Sequence, residues 1–295
     1  MDTTRISAII LADGSRLDAG KVISRGGDGY IIRDTASPTT VMKVPKLSAT
    51  CNPDGSIKPD DAENMYKTDL SCEKEAYRRL QGVSGIANCL DISANGLVLE
   101  FYPNGDLEDY IQDNSAPSWK QRIDWILQIL DALIACHNKR ILVFDIALRN
   151  LMLDGDLNVK LIDFSQSSCL KIDEVTELVD KDGYTADLDL LHVSNVIYSI
   201  SRWAKFEAHY TSMDEWPAAD SLPSTSNLPL GDIITKAWSR QFKNLDELKL
   251  AVKSAAPKIA TTAHDENSSI LHKPVFIGWA LACAILLASR LRPRS

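Results

Sequence analysis

The chain has 295 residues, 45% of them hydrophobic and 24% charged, which excludes wholesale disorder and suffices for one large core or two lobes. Lys and Arg number 32 against 40 Asp and Glu, so the net charge is −8, the wrong sign for a protein that neutralises a phosphate backbone, and no nucleic-acid partner is expected. Six dispersed cysteines without C-x-x-C spacing predict neither a disulfide framework nor a zinc site, and the N-terminal stretch has no apolar signal run, so a reducing cytosolic setting is expected.

The first third reads as short strands, at Ile6 to Leu11, Lys21 to Ser24, Tyr30 to Arg33, Thr40 to Val44 and Leu97 to Phe101, each β-branched and apolar. A polar stretch from Cys51 to Asp69, with Pro53, Gly55 and Pro59, predicts an exposed loop, and a helix follows over about Ser71 to Gln81. Around Tyr102-Pro103-Asn104-Gly105 the chain predicts a hinge. Beyond it, Ser118 to Gln121 forms a capping-box pattern ahead of Ile123, Ile126, Leu127, Leu130, Leu133 and Ile134 at helical spacing. Further helices are expected over Leu190 to Ile200 and Asp232 to Val252, and Ala255 to Ser269 reads as a linker.

The end of the chain differs in kind. Residues 273–295 hold Lys273, Arg290, Arg292 and Arg294 and no acid, around the uncharged run Val275 to Ser289. As a helix that run would span roughly 22 Å at about 1.5 Å per residue, against a bilayer core of about 30 Å. With Lys273 and Arg290 snorkelling, it predicts a C-terminal membrane anchor, the competing reading being a helix packed on the preceding domain.

Three clusters carry chemistry. Ser24-Arg25-Gly26-Gly27-Asp28-Gly29 lies between two strands, and its glycines would let the backbone fold over an anion; a plain hairpin turn is the simpler reading. In Val41-Met42-Lys43-Val44 strand alternation puts Val41 and Lys43 on one face, while Lys46 reads as an exposed strand-end residue. Glu73 shares the apolar helix face with Tyr77 and Leu80, so it needs a partner, and Lys43 is the obvious one. Finally, Asp145, Asn150 and Asp163 sit on or beside two short strands joined by the Asp154-Gly155-Asp156 turn. Such an oxygen cluster suits Mg2+ with one carboxylate left over as a base.

In this order the glycine loop, strand lysine, helix glutamate, Asp-x-x-x-x-Asn and Asp-Phe resemble a eukaryotic-type protein kinase domain over about residues 20–252. The resemblance implies an α+β, two-lobed protein-kinase-like fold, with an N-terminal extension at 1–19, a β-rich N-lobe at 20–102, a helical C-lobe at 103–254, a linker at 255–273 and a separate apolar helix at 274–290. It implies ATP and Mg2+ as cofactors and a protein substrate. Ile23, Ser24, Gly26, Gly27, Gly29, Ile31, Val41, Lys43 and Glu73 would surround the nucleotide, with the hinge Leu99-Glu100-Phe101-Tyr102 at the adenine. Asp145 would be the base, Arg149 would position the γ-phosphate, and Asn150 and Asp163 would hold the metal. Asp189 resembles the aspartate that braces the catalytic loop, and Trp238 the tryptophan near the end of the C-lobe.

The pattern also departs from the family. Val143-Phe144 stands where His-Arg is expected, Ser24 and Ser165 replace glycines, Ala147 replaces a lysine, and Asp163 and Asp189 are only 26 positions apart. The missing arginine predicts no control by phosphorylation of the intervening segment. Besides a protein kinase, the sequence leaves open a nucleotide-binding or scaffolding pseudokinase and a small-molecule kinase.

Overall fold

The computed structural model describes residues 8–26, 29–34, 37–47, 49–51, 57–59, 64–173, 177–208 and 216–267. The run 275–289 therefore lies outside the described residues, and among those described no helix is long and apolar enough to cross a membrane.

Alternating apolar residues build the first half. Strands β1 (Ala8–Ile10) and β2 (Arg16–Asp18) form a hairpin, and β3 (Val22–Arg25), β4 (Gly29–Arg33), β5 (Thr40–Pro45), β8 (Cys89–Ser93) and β9 (Gly96–Glu100) form an antiparallel sheet in the order β3-β4-β5-β9-β8. The short β6 (Ala49–Cys51) and β7 (Ile57–Pro59) pair separately. Residues 8–18, within the expected N-terminal extension at 1–19, pack on the five-stranded sheet. Ile9 and Leu11 are buried with Ile32 and Val44 on the outer sheet face, and Asp13 and Asn95 exchange two hydrogen bonds, at 3.1 and 2.7 Å.

Helix α1 (Asn64–Arg79) begins well before the predicted Ser71 and shortens the expected loop. Polar content suggested a loop, but no Gly or Pro lies between Pro59 and Gly82, so nothing there breaks a helix.

The second half is helical, with α2 (Leu107–Asp113), α3 (Trp119–Asn138), α4 (Ala186–Arg202), α5 (Gly231–Trp238) and α6 (Leu245–Asn267). Ser118 caps α3 by accepting from the Gln121 amide at 3.3 Å. The periodic residues Ile126, Leu130 and Leu133 of α3 and Val193, Ile197 and Ile200 of α4 are essentially fully buried, each burial stabilising by about 1.5–3 kcal/mol. Two small hairpin-like pairs, β10 (Ile141–Leu142) with β13 (Ser168–Cys169) and β11 (Leu151–Leu153) with β12 (Val159–Leu161), lie between α3 and α4.

The single helix expected over 232–252 is two, broken where Arg240 takes φ +56° and pairs with Asp187. The expected linker from Ala255 is a correction in the other direction. Through Asn267 it continues α6, with Pro257 inside the helix and Ile259 buried in the core. A proline removes one hydrogen bond, and the packing of the helix outweighs that loss.

Main-chain bonds join the halves: the Ala87 amide donates to the Leu161 carbonyl at 2.9 Å, and the Leu161 amide to Gly85 at 2.8 Å.

Candidate active site

Strand β5 delivers a cation between two carboxylates. Alternation turns Val41 to the large core and Val44 to the small outer one, so Lys43 points inward. Its Nζ donates to Glu73 Oε1 at 2.9 Å and to Asp163 Oδ1 at 2.7 Å, with Glu73 Oε2 also at 2.8 Å. Two glycines make the placement possible. A Cβ on Gly29 would come within 2.6 Å of the Val44 oxygen, and one on Gly96, at φ +151°, would collide with the Lys43 carbonyl.

The three charges shift one another. Burial works against the Lys43 ammonium, but Glu73 and Asp163 outweigh it and hold its pKa above the usual lysine range. Burial pushes Glu73 up to about 7, against the pull of Lys43. Asp163, despite burial, is held below the usual carboxylate range by Lys43 and by Ser165, whose amide donates to Oδ1 at 3.2 Å.

Asp145 follows a strained turn, because Phe144 has φ +61°. The fully buried Asp189 at the start of α4 holds that turn by accepting the Val143 amide at 3.0 Å and the Phe144 amide at 2.7 Å, and His137 bonds Asp189 Oδ2 at 2.8 Å. Asn150, in a 3₁₀ turn, donates Nδ2 to both the carbonyl and Oδ2 of Asp145 at 2.9 Å. Arg149 Nη2 reaches Asp145 Oδ1 at 2.5 Å while Nη1 bonds Glu207. Despite burial, these two carboxylates keep the Arg149 guanidinium firmly charged.

These groups open on one cleft of about 640 Å³ between the sheet and the helical half, lined by Ser24, Gly26, Gly29, Ile31, Lys43, Glu73, Asp145, Arg149, Asn150 and Asp163. Leu99 is the hinge residue that lines it. Glu100 and Tyr102 instead line a second cavity of about 270 Å³ behind the hinge, where the Tyr102 hydroxyl accepts from the Asn88 amide at 3.0 Å and donates to Glu100 at 3.3 Å. Ile23 is exposed on β3, Val41 belongs to the core beneath, and Gly27 lies outside the described residues.

Sequence reading passed over other residues of the site. Asp106 caps α2 through the Asp109 amide at 2.9 Å and also lines the cleft; an Asp just after Gly105 and before Leu-Glu-Asp was its signal. Lys46 is no idle strand end, since it donates to the Gly26 carbonyl and lies 5.7 Å over the Tyr30 ring. Glu207 comes from the irregular segment after α4, where no motif marks it.

The donor set fits a hard divalent cation. With Nδ2 of Asn150 committed to Asp145, its Oδ1 is left as an acceptor, and Asp163, held ionised, directly follows Ile162, whose amide donates to the Asn150 carbonyl at 2.9 Å.

Comparison with known proteins gives a match to the family model for the protein kinase domain over residues 56–203, half of the chain. The matched range begins after the glycine loop and Lys43. The chain is 30% identical over 168 residues to a putative cysteine-rich receptor-like protein kinase 30 of Arabidopsis thaliana, covering 54% of this chain and 23% of that protein. It is 35% identical over 72 residues to the human NUAK family SNF1-like kinase 2 (24% and 12%) and 40% identical over 68 residues to the rat serine/threonine-protein kinase SIK1 (23% and 9%). The chain thus spans less than a quarter of the length of these relatives.

Proposed function

The chain belongs to the protein kinase domain family, and from that premise we propose that it transfers the γ-phosphate of ATP to a protein hydroxyl. The observation that carries the reading is the convergence on one cleft of Lys43 between Glu73 and Asp163, at 2.9 and 2.7 Å, and of Asp145 held by Asn150 and Arg149.

The chemistry needs positioning and charge more than bond-making groups. Lys43, kept protonated by its two carboxylates, binds phosphate oxygens. Asn150 and Asp163 hold Mg2+, which offsets phosphate charge when bound. Asp145, oriented by the Asn150 amide, takes the proton of the acceptor hydroxyl. Arg149 lies against that carboxylate and offers its guanidinium to the transferring phosphoryl group.

The test is Mg2+-dependent transfer of labelled phosphate from ATP to a generic protein acceptor. Asp145→Asn is expected to lower kcat by about a hundredfold or more. Equal transfer by the variant would remove Asp145 as the base, and no transfer by either protein, with nucleotide binding retained, would favour a pseudokinase.

We also propose that residues 275–289 anchor the protein in a membrane, on the strength of their uncharged run and basic flanks. A full chain that alkaline carbonate extracts from membranes as readily as a chain ending at Ser269 would refute this.

A further inference from the structure

Helix α1 carries Glu73 in its body and Arg79 at its last residue. The Arg79 side chain is only 14% exposed, and it does not point to solvent. Nη1 donates to the main-chain carbonyl of Leu170 at 2.7 Å and to that of Lys139 at 3.5 Å, while Nε donates to Glu75 at 2.9 Å. Leu170 directly follows β13, a few residues beyond Asp163, and β13 is itself paired with β10. From the other side, Arg140 Nε donates to the Lys171 carbonyl at 3.3 Å and the Leu170 amide donates to Arg140 O at 2.8 Å. Two further contacts run between the same elements: Cys169 Sγ lies 3.6 Å from the Cys72 carbonyl, and Tyr77 packs edge-on against Phe164 with centroids 5.1 Å apart.

A helix is stiff, so a tether at its end sets its rotation and axial position. Glu73 lies six residues before Arg79, about 9 Å along the axis. Its carboxylate is fully buried and, among the described residues, pairs with Lys43 alone, so a small rotation of α1 would break the pair that sets the Lys43–Asp163 geometry. Arg79 is a charged group of this helix whose bond to Leu170 joins it to the segment following Asp163.

We propose that Arg79 is a positioning residue: it fastens α1 to the strand after Asp163, so that the Lys43–Glu73–Asp163 cluster is assembled by contacts of the unmodified chain. The part concerning rate rests on the phosphotransfer reading above; the part concerning assembly does not.

The test uses the full chain as wild type, Arg79→Met, which keeps the apolar stem, and Arg79→Lys, which can still reach one carbonyl. Amide hydrogen exchange is expected to quicken by about tenfold or more in Arg79→Met at residues 168–170 and, together with them, along α1 around residues 73–77, as loss of charge-assisted hydrogen bonds implies. Exchange in α3 and α6 should stay at the wild-type level. Transfer should show kcat lowered by about tenfold, with Arg79→Lys recovering part of both effects. Treatment of the wild type with a protein phosphatase should alter neither readout.

Unchanged exchange at either element, or an equal rise in α3 and α6, would overturn the proposal, as would loss of protection on phosphatase treatment. Coupled exchange with kcat unchanged would overturn the part concerning rate. Absence of transfer in the wild type would overturn the kinase reading instead, and the exchange comparison would still decide the tether.

Discussion

Burial at Glu73 sets two demands against each other: the carboxylate must stay close to Lys43, and it must leave water to do so. In the unfolded chain it titrates near the ordinary value of 4.5 and in the folded chain near 7. Across that window the folded state holds a proton that the unfolded state has lost. Stability tied to the protonated carboxyl is therefore full below about pH 4.5 and is lost as the pH rises through about 7. Glu73→Gln should lack this dependence. Urea denaturation of variant and parent is expected to give a stability difference that changes by on the order of 1 kcal/mol or more across the window, and parallel profiles would refute the shift. Lys43, Glu73, Asp145, Asn150 and Asp163 were legible because each is a polar residue at a marked place in an apolar or strand-turn pattern. Glu207 was not, because its partner Arg149 lies 58 positions away and its own neighbours form no periodic element.

Among the elements, β5 and β9 show how a small residue fixes one that lines the cleft. Gly96 lies against the Lys43 carbonyl in a conformation L side chains rarely adopt, so both space and backbone exclude a substituent. Gly96→Ala is expected to cost about 2–3 kcal/mol of stability and to weaken nucleotide binding, read by chemical denaturation and by titration with an ATP analogue. A variant as stable as its parent would show that β9 can give way there. Helices with a capping residue and strict apolar spacing, α3 and α4, could be read closely from the sequence. Elements without such marks could not. The edge strand β8 alternates weakly, the polar start of α1 resembles a loop, and α6 runs through Pro257 because burial of Leu248, Val252 and Ile259 outweighs local preference.

Taken as a whole, the molecule places its cleft between two separately built halves, with Lys43 and Glu73 from one and Asp145, Asn150 and Asp163 from the other. A ligand that touches both halves stabilises their apposition. ATP with Mg2+ at about a hundred times its Kd should therefore raise the unfolding free energy by about 2.7 kcal/mol, seen as a higher Tm, and Asp163→Asn should remove the part that depends on Mg2+. A Tm indifferent to nucleotide would leave the cleft without its proposed ligand.

By itself the sequence determined a β-rich first third, a helical remainder, the buried faces of the well-marked helices and the polar residues placed against them, from local periodicity and side-chain chemistry, while the kind of protein was read from the resemblance carried by its ordered motifs. Tertiary structure decided which of those polar residues meet. Lys43 and Asp163 are 120 positions apart and Arg79 and Leu170 are 91, and contacts at such separations depend on how the sheet, α1 and the helical half pack together, which no local pattern encodes. The same packing seated the β1–β2 hairpin on the sheet and turned Glu100 and Tyr102 toward the rear cavity, because burial is settled by the surfaces that an element finds opposite it.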